Sequence, residues 1–389
     1  MEGKELLKLF YDRYTTRLET FYRLPSDVDL SDFWPQELAY RKERGTALPL
    51  SSFDGNPYFY CRTDRFRQAV DQITRMARTV SDESVFAEFG QESVADEAFY
   101  SSIIEGAYST REEAREFIAS GREPKGKDER MILNNYRALG FVLAHLEEPI
   151  SEETILRIGA ILTEGEETQN TGYRNGPVYV LSQTGETVYT PPKAEFVKPM
   201  MDELIQYMND PEVHPVERAV IAHVYFVTVH PFFDGNGRTA RALTYMILLK
   251  AGYDFFRMVP ISGLLAEKRP RYYKALRASQ DTDNGWDLTY FAEYYAGLLA
   301  GTLEGVERRL HALGKYRQLQ VLLDQDEDSR LLKGALWMAE NDISRITIEK
   351  WGRKHNVSFE TARKDLMLLE RAGFLKLCRV GRRLYYNLT

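Results

Sequence analysis

Apolar residues recur every three to four positions along most of this 389-residue chain, the spacing of helices that bury one face. The pattern predicts helices over 128–147, 151–163, 194–208, 215–229, 238–251 and 287–309. A period of two replaces it only near 177–190 and 374–388, where short extended pieces are expected. The fold class predicted is therefore mostly α. Residues 1–92 read as an N-terminal helical region, rich in aromatics, punctuated by Pro25, Pro35, Pro49 and Pro57, and without assignable chemistry. Residues 93–312 form the main core, 313–328 a solvated linker and 329–389 a separate domain. The linker holds Asp324, Asp326 and Asp328 at the spacing that opens an EF-hand loop. Ser329 stands where such a loop needs glycine and Ala335 where it needs glutamate, so no calcium is expected there.

The tail changes character. Residues 340–389 carry eleven Lys/Arg against six Asp/Glu. Ile346–His355 reads as a helix, Asn356-Val357-Ser358 as a turn, and Ser358 as the cap of a second helix with Ala362, Leu366 and Leu369 inward. Phe374–Val380 and Arg383–Leu388 alternate around Gly381-Arg382 as a hairpin. Helix, turn, helix, hairpin resembles a winged helix-turn-helix. Arg363 and Lys364 on its second helix, with Arg379, Arg382 and Arg383 on the wing, suit phosphate contacts. A protein-binding or dimerisation role fits the same pattern, so DNA and protein both stand as expected partners.

Composition narrows the setting. A net charge of −7 argues against nonspecific nucleic-acid or anionic-membrane binding by the molecule as a whole. Cys61 and Cys378 are the two cysteines, too few for a disulfide framework or a thiolate metal site. The N-terminal stretch lacks the apolar core of a signal peptide and no apolar window reaches membrane-span length. The expectation is a cytoplasmic protein without a membrane partner. The sequence leaves a homo-oligomer open.

One string concentrates the chemistry: His230-Pro231-Phe232-Phe233-Asp234-Gly235-Asn236-Gly237-Arg238-Thr239-Ala240-Arg241. Good helix formers follow it, so the glycines sit at a helix N-terminus, where free amides and the dipole favour an anion. His230 has the titration range of a general base. Asp234 is a hard oxygen ligand suited to Mg2+ beside phosphates. Gly235, Asn236 and Gly237 would cradle phosphate, and Arg238 and Arg241 would take the outer phosphates.

At every fixed position the string resembles the signature of the Fic family, and the chain is identified as a Fic-fold protein on that basis. The resemblance implies a helical core that transfers AMP from ATP to a Ser, Thr or Tyr hydroxyl of a target protein. It implies His230 as base, Asp234 as Mg2+ ligand, Asn236 at the α-phosphate, and Arg238 and Arg241 at the β- and γ-phosphates. Gly237 fits AMP transfer, since the phosphorylating branch carries lysine there. Thr171-Gly172-Tyr173-Arg174 precedes extended stretches 177–180 and 186–190 around Gln183-Thr184-Gly185. These resemble the family's flap, which docks the target protein by strand addition. Arg271-Tyr272-Tyr273-Lys274 resembles the segment near the adenine, giving Tyr272 and Tyr273. His223 reads as a supporting core residue. Gly159 departs from relatives that often place histidine there.

A second string, Ser101-Ser102-Ile103-Ile104-Glu105-Gly106, resembles the family's inhibitory signature on a helix around 94–106. The resemblance implies that Glu105 forms a bidentate pair with Arg241 and takes the partner of the γ-phosphate, with Ser101 fixing the helix and Gly106 ending it. Two alternatives stay open. Glu105 could activate water to remove AMP from a modified protein, or the chain could be a DNA-binding regulator with a vestigial core.

Overall fold

The computed structural model describes residues 3–79, 83–181, 184–323, 330–381 and 383–389, with 3, 79, 83–92 and 323 described by backbone alone. Gln183 of the expected flap, Arg382 of the wing and the acidic run 324–328 lie outside the described residues. The chain divides into two compact units, Met1–Thr302 and Leu303–Thr389.

The first unit opens with helices α1 (Gly3–Arg13), α2 (Arg17–Phe21) and α3 (Leu30–Arg44), then a hairpin of β1 (Thr46–Ser51) and β2 (Pro57–Tyr60). Helices α4 (Asp64–Thr79), α5 (Glu83–Ile104), α6 (Arg111–Ser120), α7 (Lys127–Ala144) and α8 (Glu152–Leu162) follow. A second hairpin pairs β3 (Val180–Leu181) with β4 (Thr187–Tyr189). The unit closes with α9 (Ala194–Met208), α10 (Pro215–Val229), α11 (Asn236–Lys250), α12 (Ile261–Glu267), α13 (Arg269–Gln280) and α14 (Thr289–Gly301).

The mostly helical expectation holds, and α10 and α11 form its centre. Both are buried on nearly all sides, α11 with Arg238 and Arg241 among its buried residues. Pro215 at the first turn and the His214 side chain accepting from Val216 N start α10. It ends at His230, whose backbone is left-handed at φ 54°, ψ 58°. For a residue with a Cβ that conformation costs about 1–2 kcal/mol, so the surroundings must hold it.

Three boundaries differ from the sequence expectation. Residues 1–92 are not a separate helical region: they include the β1–β2 hairpin and are tied to the core by polar contacts. Tyr14 Oη donates to Asp287 at 2.7 Å, Trp34 Nε1 to the Asp283 carbonyl at 2.7 Å, and Arg62 pairs with Glu217 at 2.7 Å. The helix expected over 287–309 breaks at Thr302, between α14 and α15 (Leu303–Leu323). Residues 313–323, expected as linker, belong to α15.

The second unit continues with α16 (Arg330–Glu340), β5 (Arg345–Ile346), α17 (Ile348–His355), α18 (Phe359–Arg371), β6 (Leu375–Val380) and β7 (Arg383–Leu388). Its sheet has the order β5-β7-β6; the short β5 was not anticipated. Asn356 turns left-handed between α17 and α18 at φ 50°, and Ser358 Oγ accepts from Thr361 N at 3.1 Å, capping α18 as expected. Trp351 Nε1 donates to Asp365, which also pairs with Arg330.

Candidate active site

The α10–α11 turn gathers the motif. Gly235 caps α11 with φ 80°, a conformation glycine adopts without strain. The first backbone bond of α11 runs from Thr239 N to Gly235 O at 2.9 Å. The amides of Asn236, Gly237 and Arg238 therefore precede the helical ladder and face the helix mouth, where partial positive charge collects.

His230 lies at the edge of that mouth. Its Nδ1 is 3.3 Å from the Val227 carbonyl, which can only accept. Nδ1 thus carries the proton and Nε2 is left with a free lone pair. Burial pushes the imidazole down to about 4; the Val227 carbonyl opposes this and the Arg174 cation adds to it, while Glu105 and Asp234 pull it up. The ring is neutral at cellular pH, the form a base requires.

Two motif residues do different work from that expected of them. Asn236 is buried, and its side chain closes the loop, Oδ1 accepting from Phe232 N at 2.9 Å and Nδ2 donating to Phe232 O at 2.8 Å. With both ends committed, it offers a phosphate its backbone amide. Arg238 is 1% exposed. Nη1 donates to the Leu162 carbonyl at 2.9 Å and Nη2 to Asp234 Oδ2 at 3.1 Å. It is a strut joining α8 to the loop, because position 238 turns inward where 241 faces the mouth. Asp234 keeps a half-exposed carboxylate, with Oδ1 also accepting from Gly235 N at 2.6 Å.

Arg241 and Glu105 meet as anticipated, but not as a bidentate pair. Arg241 Nη2 donates to Glu105 Oε1 at 2.7 Å. Nε instead donates to Ser101 Oγ at 2.8 Å, and Nη2 also to the Ser101 carbonyl at 3.0 Å. The serine hydroxyl and carbonyl take Nε and one Nη2 hydrogen, so the carboxylate receives a single hydrogen bond. Among the described residues, Nη1 is buried with no hydrogen-bond partner. Burial opposes the Arg241 charge, but Glu105 together with Tyr272 and Tyr273 more than offsets this, and the group is held ionised above its usual range.

The Glu105 carboxylate also covers the helix mouth. A Cβ placed on Gly237 would collide with Glu105 Oε1 and approach Arg241 Nη1 to 3.2 Å. Gly106, at φ 99°, ends the helical run directly after it. Helix α5 is fastened from both sides: buried Asp96 takes Arg111 and Arg115 of α6, and buried Glu97 accepts from Ser262 N of α12 at 2.9 Å. Sequence reasoning missed these anchors, which only tertiary proximity reveals.

Tyr272 is 2% exposed and its hydroxyl is 2.8 Å from His223 Nε2. It is a core residue, not an adenine contact, because its side of α13 packs against α10 and α14. Tyr273 is partly exposed on the same helix. His223, bonded also to Thr244 Oγ1 at 2.9 Å, has its pKa driven well down by burial and plays the core role expected. A Cβ at Gly159 would meet the Phe232 ring at 2.7 Å, so that ring fills the space a larger side chain would need. Asn170, unassigned from sequence, donates to the Asp234 carbonyl at 2.8 Å and braces the loop. The β3–β4 hairpin exposes Tyr179, Leu181 and Val188, and Tyr189 Oη ties it to the Thr228 carbonyl at 2.9 Å. Among the described residues, no helix is long and apolar enough to cross a membrane.

Residues 149–248 match the model of the Fic/DOC family, so that segment is a Fic-type domain. It is 31% identical over 209 residues to the protein adenylyltransferase fic-1 of Caenorhabditis elegans, covering 51% of this chain and 38% of that one. It is 28% identical over 290 residues to the protein adenylyltransferase fic-1 of Caenorhabditis briggsae, covering 69% and 52%. The chain thus spans about half the length of these curated relatives or less. A Fic family protein from Desulfovibrio desulfuricans G20 shares the fold at a TM-score of 0.55 and 19% identity, over 84% of this chain and 96% of that one.

Proposed function

We propose that this chain is a protein adenylyltransferase that moves AMP from ATP to a hydroxyl of a target protein and is restrained by Glu105. The observation that carries the reading is the His230 imidazole, its Nδ1 turned to the Val227 carbonyl, next to a helix mouth that the Glu105 carboxylate already occupies. His230 Nε2 accepts the proton of the target hydroxyl, whose oxygen attacks the α-phosphorus. The bond to the β-phosphate oxygen breaks and pyrophosphate leaves. The amides of Asn236, Gly237 and Arg238 meet the charge developing on the α-phosphate, and Arg241, freed from Glu105, takes the γ-phosphate. The half-exposed carboxylate of Asp234 fits Mg2+, which commonly binds one or two carboxylates and completes its shell with phosphates. Bound there it would neutralise phosphate charge. The exposed hairpin fits a target strand laid along its edge. Mass spectrometry of the protein with ATP and Mg2+ tests the reading: a gain of one AMP, absent from His230→Ala, is expected.

The second unit supports a separate reading as a winged helix that binds duplex DNA. Arg363, Lys364, Arg379 and Arg383 are exposed on α18 and the hairpin, a basic face within an acidic protein. Replacing Arg363 and Lys364 by alanine in the full chain should weaken retention of duplex fragments at low salt and flatten the salt dependence. Equal retention by the variant would favour a protein partner for this unit.

A further inference from the structure

Arg174 is 3% exposed, yet among the described residues no carboxylate pairs with its guanidinium. Its acceptors are all backbone carbonyls. Nε donates to His230 O at 2.7 Å, Nη2 to Val229 O at 3.2 Å and to Pro192 O, and Nη1 to Gly176 O at 3.0 Å. Its own amide donates to Pro231 O at 2.8 Å. Three consecutive peptides, 229 to 231, are therefore held by one residue. Gly176 and Pro192 are the two ends of the segment that forms the β3–β4 hairpin.

The physical question is why a buried cation is spent on neutral acceptors, since burying charge without a counter-charge is costly. A fork of five donors can hold several carbonyls in fixed relative positions, which a lysine's point charge cannot. What it holds is the left-handed residue 230, whose conformation is unfavourable without support. The side chain leaving that residue is the candidate base.

We propose that Arg174 is a positioning residue that locks the His230 backbone and both ends of the flap as one body, setting where Nε2 points relative to a docked target strand. This rests on the adenylyltransferase reading above. Arg174 touches neither the amides of α11 nor Arg241, so its loss acts on the chemical step and leaves nucleotide binding in place. The charged groups acting on His230 are Arg174, Glu105 and Asp234. Removing the Arg174 cation and its clamp therefore raises the His230 pKa, while a lysine retains much of the charge without the fork.

The experiment uses Arg174→Lys and Arg174→Met in a Glu105→Gly background of the full chain. Both should lower kcat for AMP transfer by about tenfold to a hundredfold, the scale of a misplacement near 1 Å, with the Kd for ATP changed by less than about twofold. Imidazole NMR of His230 should show a raised pKa in the methionine variant and a smaller rise in the lysine variant. Unchanged kcat in both, or loss of ATP binding in step with kcat, would overturn the proposal. If the Glu105→Gly parent transfers no AMP, the functional reading fails instead. The NMR titration of Arg174→Lys then decides, because it keeps the charge and removes the fork: an unmoved His230 pKa overturns the positioning role, and a raised one upholds it.

Discussion

Glu105 Oε1 lies 2.7 Å from Arg241 Nη2 and covers the position where a Cβ of residue 237 would stand. One carboxylate thus occupies the arginine and the helix mouth together. Under the proposed function both are groups a triphosphate would use, so a bound nucleotide and a seated Glu105 would compete for the same donors.

That geometry predicts coupling between positions 105 and 237. In the native background, Gly237→Ala should displace the Glu105 carboxylate, weaken its bond to Arg241 and lower Tm. In Glu105→Gly the main obstruction is gone and only the flexible end of Arg241 remains at 3.2 Å, so alanine should cost clearly less there than in the native background, aided by its higher helix propensity, up to about 1 kcal/mol over glycine. Thermal melts of the four proteins check this as a double-mutant cycle. An equal change in Tm in both backgrounds would mean that the carboxylate does not lie over residue 237 in solution.

Arg238 is expected to act on stability before it acts on nucleotide. Arg238→Met leaves the buried Leu162 carbonyl without its donor, at about 1–3 kcal/mol for an unsatisfied buried group. Chemical denaturation should show the loss in the absence of ATP. A variant as stable as the native protein would return Arg238 to the role of a phosphate ligand.

The pH dependence of stability follows from His230. Its imidazole is pushed down to about 4 in the fold and titrates near 6.5 when unfolded. Between those values the unfolded state holds the extra proton, so lowering pH from about 6.5 towards 4 favours unfolding. His230→Gln removes that contribution, and its Tm should fall less steeply than the native Tm between pH 7 and 5. Parallel curves would show that His230 is solvated.

The motif was readable because it is local: a loop entering a helix places a base, a carboxylate and free amides within a dozen residues. Spacing alone did not say which way each side chain turns. Asn236 bends back onto its own loop, and Arg238, one turn from Asp234, reaches the end of α8 instead of the mouth. The Glu105–Arg241 contact was legible as a pairing, but its single donor depended on where Ser101 sits. The break at Thr302 was hidden because apolar spacing runs on through Leu298, Leu299, Leu303 and Val306. The attachment of the first sixty residues relies on contacts such as Tyr14 to Asp287, hundreds of positions apart, which leave no periodic trace.

The most direct measurement is intact-mass analysis of Glu105→Gly, native and His230→Ala proteins incubated with ATP and Mg2+. Glu105→Gly should gain one or more AMP groups well beyond the native level, and adding His230→Ala should abolish the gain. A Glu105→Gly protein no more modified than the native one, or labelling that survives His230→Ala, would contradict the proposed function.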